Sequence, residues 1–205
     1  MREVEKKARV LDLDFDDVLQ YLLKHYGESE HVFAEDIYYS MPGAKRECQT
    51  CFRIRKNYSG ETLKLVGIVV NTKCKKMMLD NLENNIEIEF ELPDQIAERN
   101  FVEMMIGFGA KYWYTKKKGK YVFNYNKDVE YHIELCTLPI GGRDEHFLEI
   151  EGVFDSENLS AVAEEAIVSV INSFIDNLFV KLGLEKNVEP RPYRVLLGVS
   201  NTGGQ

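Results

Sequence analysis

Glu3-Val4-Glu5-Lys6-Lys7 is the stretch from which the rest of the chain is read. In a strand, side chains two apart point the same way at a spacing of about 6.6 Å, so Glu3, Glu5 and Lys7 share one face. Two carboxylates and an ammonium in that order can hold a divalent cation and a phosphate oxygen side by side. Taken alone, the same alternation fits the solvated face of an edge strand more readily. Repetition of the pattern further along the chain shifts the balance.

Arg53-Ile54-Arg55, Glu87-Ile88-Glu89 and Glu149-Ile150-Glu151 each place two like charges on one face with an apolar residue between them, and Lys116-Lys117-Lys118 repeats the like-charge spacing. A half-exposed strand in water favours mixed signs, because like charges along one face repel. Here acids gather on some strands and bases on others. In a closed barrel the inward faces of such strands form a polar lumen, where bound metal and phosphate make like charges tolerable.

The strand segments needed for this are present. Val4 to Leu13 reads as a strand, and Asp14 to His25 as an amphipathic helix with Phe15, Val18, Leu19, Leu22 and Leu23 on one stripe, capped by Asp14 or Asp16 and stopped at Gly27. Residues 35–39, 49–56, 62–71 and 85–91 are short and rich in β-branched and aromatic side chains, with turn signals at Met41-Pro42-Gly43 and Tyr58-Ser59-Gly60. Pro93-Asp94 opens a second helix that ends at Gly107. Strands are expected at 110–116, 120–126, 131–136 and 147–153, followed by a long helix from Ser156 to Leu182. One domain over residues 1–197 is expected, with a disordered tail from residue 198 to 205.

Composition sets bounds. The 205 residues, 44% hydrophobic, suffice for one sizeable core. A net charge of −8 argues against a stable nucleic-acid complex or attraction to anionic membranes, while leaving room for a small basic pocket. No apolar run approaches the roughly 18 residues of a membrane span, so a cytoplasmic protein is expected, as a monomer or a homodimer. Cys48 and Cys51 have the spacing of half a zinc site, but no second pair completes it, and loop thiols are the simpler reading. His25, His31 and His146 read as exposed helix-end or loop residues, and His132 as a strand residue able to face a lumen.

The charged motifs and their order resemble the CYTH family of triphosphate tunnel metalloenzymes, which includes class IV adenylate cyclases, thiamine triphosphatases and inorganic triphosphatases. Glu3 to Lys7 resembles its amino-terminal ExExK, and Asp36-Ile37-Tyr38-Tyr39 its early aspartate-aromatic strand. Arg53-Ile54-Arg55 resembles RxR, Glu87 to Glu89 ExE, Lys116 to Tyr121 KxRxxY, Glu149 to Glu151 the terminal ExE, and Tyr193 with Leu196-Leu197 the closing segment.

The resemblance implies an α+β fold in which about eight antiparallel strands form a closed barrel, a triphosphate tunnel open at both ends, flanked by helices. It implies a triphosphate-containing small molecule as partner, bound by Lys7, Arg53, Arg55, Lys64, Lys116 and Lys118. Mg²⁺ or Mn²⁺ would be held by Glu3, Glu5, Glu134, Glu149 and Glu151. Glu87, Glu89 and Lys64 would act on the reacting groups. The implied reaction is hydrolysis by water, with cyclisation of ATP to cyclic AMP and pyrophosphate, or binding without turnover, as alternatives. Departures from the pattern are Lys118, where the family more often has arginine, and Glu134 in place of an aspartate. The third-strand lysine is Lys64 in the simplest alignment and Lys73 in the competing one.

Overall fold

The computed structural model describes residues 1–11, 14–42, 51–79 and 82–199, with backbone alone for residues 73–79 and 82–86. Alternation of inward polar and outward apolar side chains builds eight antiparallel strands: β1 (Arg2–Val10), β2 (Glu30–Ser40), β3 (Cys51–Ser59), β4 (Leu65–Leu79), β5 (Leu82–Leu92), β6 (Lys111–Asn126), β7 (Glu130–Ile140) and β8 (Arg143–Phe154). Among the described residues four helices accompany them: α1 (Phe15–Tyr26), α2 (Gln95–Gly107), α3 (Ala161–Lys181) and the single turn α4 (Tyr193–Leu196). The strands curl in the order β1-β5-β4-β3-β2-β6-β7-β8, and β1 also pairs with β8, so the sheet meets itself. The two seams of β1 differ among the described residues: nine residue pairs join it to β8, and four, Arg2↔Ile86 to Glu5↔Glu83, join it to β5.

The apolar core lies outside this ring, between sheet and helices. The outward residues Val4 and Ala8 of β1, Ile133 and Leu135 of β7, and Leu148 and Ile150 of β8 pack against Val18 and Leu22 of α1 and Ile171, Ile175, Leu178 and Phe179 of α3. Each such aliphatic or aromatic side chain contributes about 1.5–3 kcal/mol on burial. On the other side, Phe52, Ile54, Ile68 and Val70 form a smaller cluster with Phe101, Val102 and Met105 of α2. Burying the outward faces leaves the charged faces to look inward. α2 starts where Asp94 accepts from the amides of Ile96 and Ala97, both at 2.8 Å, and α3 where Ser160 accepts from Ala163. Asp14 occupies the α1 N-cap without a side-chain hydrogen bond, and Gly27 at φ 86° ends that helix.

Several sequence expectations change. The segments expected at 110–116 and 120–126 are one continuous strand, β6, which runs through Gly119. A Cβ there would come within 3.1 Å of the Phe33 ring, so the glycine serves a close approach between strands, not a turn. The last long helix starts at Ala161 instead of Ser156. His31 and His146 are strand residues, half-buried, with His31 stacked on Tyr121 and His146 against Phe15. Cys51 stands on β3, while Cys48 and residues 200–205 lie outside the described residues. Gly198 and Val199 close α4 through amides donated to Val195 and Arg194, so the expected tail does not begin at residue 198. Among the described residues no helix is long and apolar enough to cross a membrane.

Candidate functional site

The inward faces enclose a cavity of about 960 Å³. On β1 the alternation sends Glu3, Glu5 and Lys7 into it, and on the neighbouring β8 Glu151 stands opposite Glu5 and Glu149 opposite Lys7. Carboxylate oxygens of Glu3, Glu5 and Glu151 lie within 4.8 Å of one another. Three carboxylates converging on one point match a hard divalent cation, which takes oxygen ligands and retains waters, as Mg²⁺ and Mn²⁺ do. The donor set of Glu3, Glu5 and Glu151 therefore fits the kind of metal that the sequence resemblance implies.

Across the lumen, β2, β3 and β6 supply a cationic wall organised on one acid. Asp36 is fully buried and accepts two hydrogen bonds from Arg55, at 2.7 and 3.1 Å. Lys116 reaches the same carboxylate at 3.0 Å and Arg53 at 3.8 Å. Burial alone would raise the Asp36 carboxyl, but Arg55, Lys116 and Arg53 overcome it and hold it well below the usual carboxylate range. Arg53 also donates to Glu87 at 3.4 Å. Asn71, from β4, donates to Glu89 at 3.3 Å.

Between acid corner and basic wall lies a chain of ion pairs. Lys118 donates to Glu149 at 2.8 Å and to Glu134, which also receives Lys120. Burial disfavours the Lys118 ammonium, yet Glu134 and Glu149 raise it well above the ordinary lysine range. Lys120 is lowered because its burial outweighs Glu134. Glu134 is held well below the carboxylate range against its burial, chiefly by Lys118, Lys120 and Arg55.

One end of the cavity is covered. Backbone bonds from Glu189 to Lys7 and from Arg9 to Asn187 lay the chain after α3 along β1, and the Glu189 carboxylate grips Arg9 and Arg191. Tyr193 of α4 then tucks inward, 8% exposed, with its hydroxyl 3.3 Å from the Cys136 sulfur and its ring against Phe147. The ammonium groups of Lys116, Lys7 and Lys118 lie 4.8, 5.2 and 5.9 Å from the ring centroid.

The sequence-predicted residues fall into three groups. Glu3, Glu5, Glu151, Lys7, Arg53, Arg55, Lys116 and Lys118 line the cavity, as do Glu87 and Glu89. Glu134 and Glu149 line it too, but in lysine pairs apart from the three-carboxylate corner. Lys64 does not belong: it is exposed in the turn before β4, where its carbonyl accepts from Ser59. Lys73, the competing assignment, stands on β4 opposite Glu87.

Sequence reading passed over Asp36 as the charge hub, Lys120, and Tyr193 as the cover. Lys120 continues the 116, 118 spacing, a signal hidden by Gly119. His132 does face the cavity, 3.9 Å from Glu151 and 3.0 Å from Glu130. Of the aromatics between 112 and 123, Tyr114 faces inward, stacked on Tyr38 at 4.3 Å, whereas Tyr112 is exposed and Phe123 lies in the outer core.

The fold is similar to that of a protein from Pyrococcus horikoshii OT3, with 20% identity, a TM-score of 0.70 and coverage of 95% of this chain and 97% of that one. It is also similar to a proposed adenylate cyclase from Vibrio parahaemolyticus, with 18% identity, a TM-score of 0.65 and coverage of 96% and 97%. A third similar structure is a proposed adenylyl cyclase from Hippeastrum described as revealing a dominant triphosphatase activity, with 14% identity, a TM-score of 0.56 and coverage of 89% and 88%. At these identities the likeness concerns the fold. No curated protein matches the chain significantly. Residues 1–172 match the CYTH domain, and the chain belongs to that family.

Proposed function

We propose that the protein binds a triphosphate chain together with a divalent cation inside the lumen and hydrolyses its terminal phosphoanhydride. The observation that carries this reading is the division of one cavity into a three-carboxylate corner and a set of cations, Lys7, Arg53, Arg55, Lys116, Lys118 and Lys120. A triphosphate brings about four negative charges, which the guanidinium and ammonium groups of such a set can bind alongside their carboxylate partners. Arg53 and Arg55 offer planar forks to phosphoryl oxygens, and the lysines act as point charges.

Glu3, Glu5 and Glu151 would hold the Mg²⁺ or Mn²⁺, which supplies charge neutralisation on the phosphoryl oxygens and orientation of water. In the hydrolysis the water oxygen bonds to the terminal phosphorus as the bridging P–O bond breaks in line. Glu87 and Glu89 take the role of orienting that water and accepting its proton. Phosphoryl transfer is mainly positioning and electrostatics, so no protein nucleophile is needed. The Hippeastrum protein's dominant triphosphatase activity is consistent with this choice over cyclisation.

Incubation of the protein with Mg²⁺ or Mn²⁺ and, separately, tripolyphosphate, thiamine triphosphate and ATP tests the proposal. Orthophosphate release supports it. Cyclic AMP with pyrophosphate would transfer the same grip to a class IV cyclase, and saturable binding without turnover would make the protein a sensor.

A further inference from the structure

The outward face of β1 carries charges that the lumen does not use. Arg2 and Lys6 alternate with Glu3 and Glu5, point away from the cavity and are buried, at 6% and 7% exposure. Buried cations carry a desolvation cost unless paired, and both find their partners on α3: Arg2 pairs with Glu164, and Lys6 donates to Asp176 at 2.8 Å. Between them Val4, fully buried, stands opposite Gly152 of β8. A Cβ on Gly152 would meet three Ile171 side-chain carbons of α3 at 2.6–2.8 Å, closer than such atoms come in folded proteins.

Thus α3 crosses the outside of the β1–β8 seam at Val4 and Gly152, and the inside of that seam holds Glu3, Glu5 and Glu151. Among the described residues the other seam of β1 has four residue pairs, against nine on the β8 side.

From this placement we infer that α3 is a brace for the carboxylate corner. Glu164 and Asp176, through Arg2 and Lys6, and Ile171, through Gly152, are positioning residues that fix how far apart the Glu3, Glu5 and Glu151 oxygens sit. The inference rests on the reading of that corner as the metal holder. Groups that orient metal ligands from behind typically change metal affinity about 10–100-fold when altered. Apart from Lys7, the phosphate-binding cations stand on β3 and β6, strands that do not pair with β1, so tripolyphosphate affinity should stay put.

The test measures Mn²⁺ binding alone by titration calorimetry, and tripolyphosphate binding alone in EDTA, for wild type and for Glu164→Gln/Asp176→Asn. The expected result is about a tenfold or greater loss of Mn²⁺ affinity with tripolyphosphate affinity in EDTA within about twofold. Gly152→Ala should weaken Mn²⁺ binding in the same way, and adding Ile171→Ala should restore it, because the clash is then relieved. This second pair keeps the test decisive if the charge variant folds poorly. Unchanged Mn²⁺ affinity in the variants, or equal losses for both ligands, overturns the brace. A wild-type protein that binds no Mn²⁺ overturns the metal reading of the corner and the brace with it.

Discussion

Replacing Asp36 with asparagine keeps the side chain's shape and removes the one charge on which Arg55, Lys116 and Arg53 converge. Asp36 is fully buried, Lys116 and Arg53 nearly so and Arg55 half-buried, so solvent takes over little of the lost partner. Removing one member of a buried ion pair typically costs about 3–5 kcal/mol, because the remaining charge is left uncompensated. At about 2–4 °C per kcal/mol for a domain of this size, the melting temperature of Asp36→Asn should fall by about 6–20 °C in metal-free buffer.

A triphosphate should take over part of the missing countercharge. The stabilisation by saturating tripolyphosphate, about 2.7 kcal/mol at a hundredfold excess over Kd for an ordinary single site, should therefore be larger in the variant than in the wild type. Scanning calorimetry with and without tripolyphosphate measures both. A variant that melts within about 2 °C of wild type would refute the assignment of Asp36 as the charge hub; one that melts lower but gains no extra stabilisation would refute the cations' role in phosphate binding.

Glu5→Gln should keep the fold and lose metal-dependent turnover together with Mn²⁺ binding; wild-type turnover in that variant would remove the corner from the mechanism. Arg55→Ala should weaken tripolyphosphate binding by about 1.5–3 kcal/mol, the scale of a hydrogen bond to a charged group, and an unchanged calorimetric Kd would count against the cationic wall. Asp36, Glu134 and Glu149 are all depressed against their burial by neighbouring cations. Their stabilisation is complete above the unfolded carboxyl values of about 3.9 and 4.3 and is lost as pH falls through the folded values. The urea midpoint should therefore drop below about pH 4, and a midpoint flat down to pH 2.5 would contradict this. Burial pushes the Cys136 thiol up to about 12, so iodoacetamide at pH 8 should leave it unlabelled in the wild type and reach it once Tyr193→Ala uncovers that end; peptide mapping reads both.

The ring of strands and most of its charged lining were legible because strand alternation is local. A pair such as Arg53 and Arg55 needs only period two to share a face. What failed were features set by neighbouring strands. Gly119 reads as a break in sequence, and only the nearness of Phe33 shows why a strand needs a glycine there. Lys64 fell inside the strand expected from residue 62; β4 starts only at Leu65, and a shift between Asn57 and Tyr58 displaces the pairing. His31 and His146 looked like loop residues because strand ends cannot be told from turns without their partners. The link from α3 to β1 joins residues more than 160 positions apart, and nothing in either segment announces it.

Titration of tripolyphosphate into the protein, with Mn²⁺ and again with EDTA, addresses the central claim most directly, that one lumen holds a triphosphate and a metal together. The account predicts saturable one-to-one binding in both conditions, tighter with Mn²⁺, with the Mn²⁺ gain lost in Glu5→Gln. Absence of saturable binding in either condition, or a Mn²⁺ gain that survives Glu5→Gln, would contradict it.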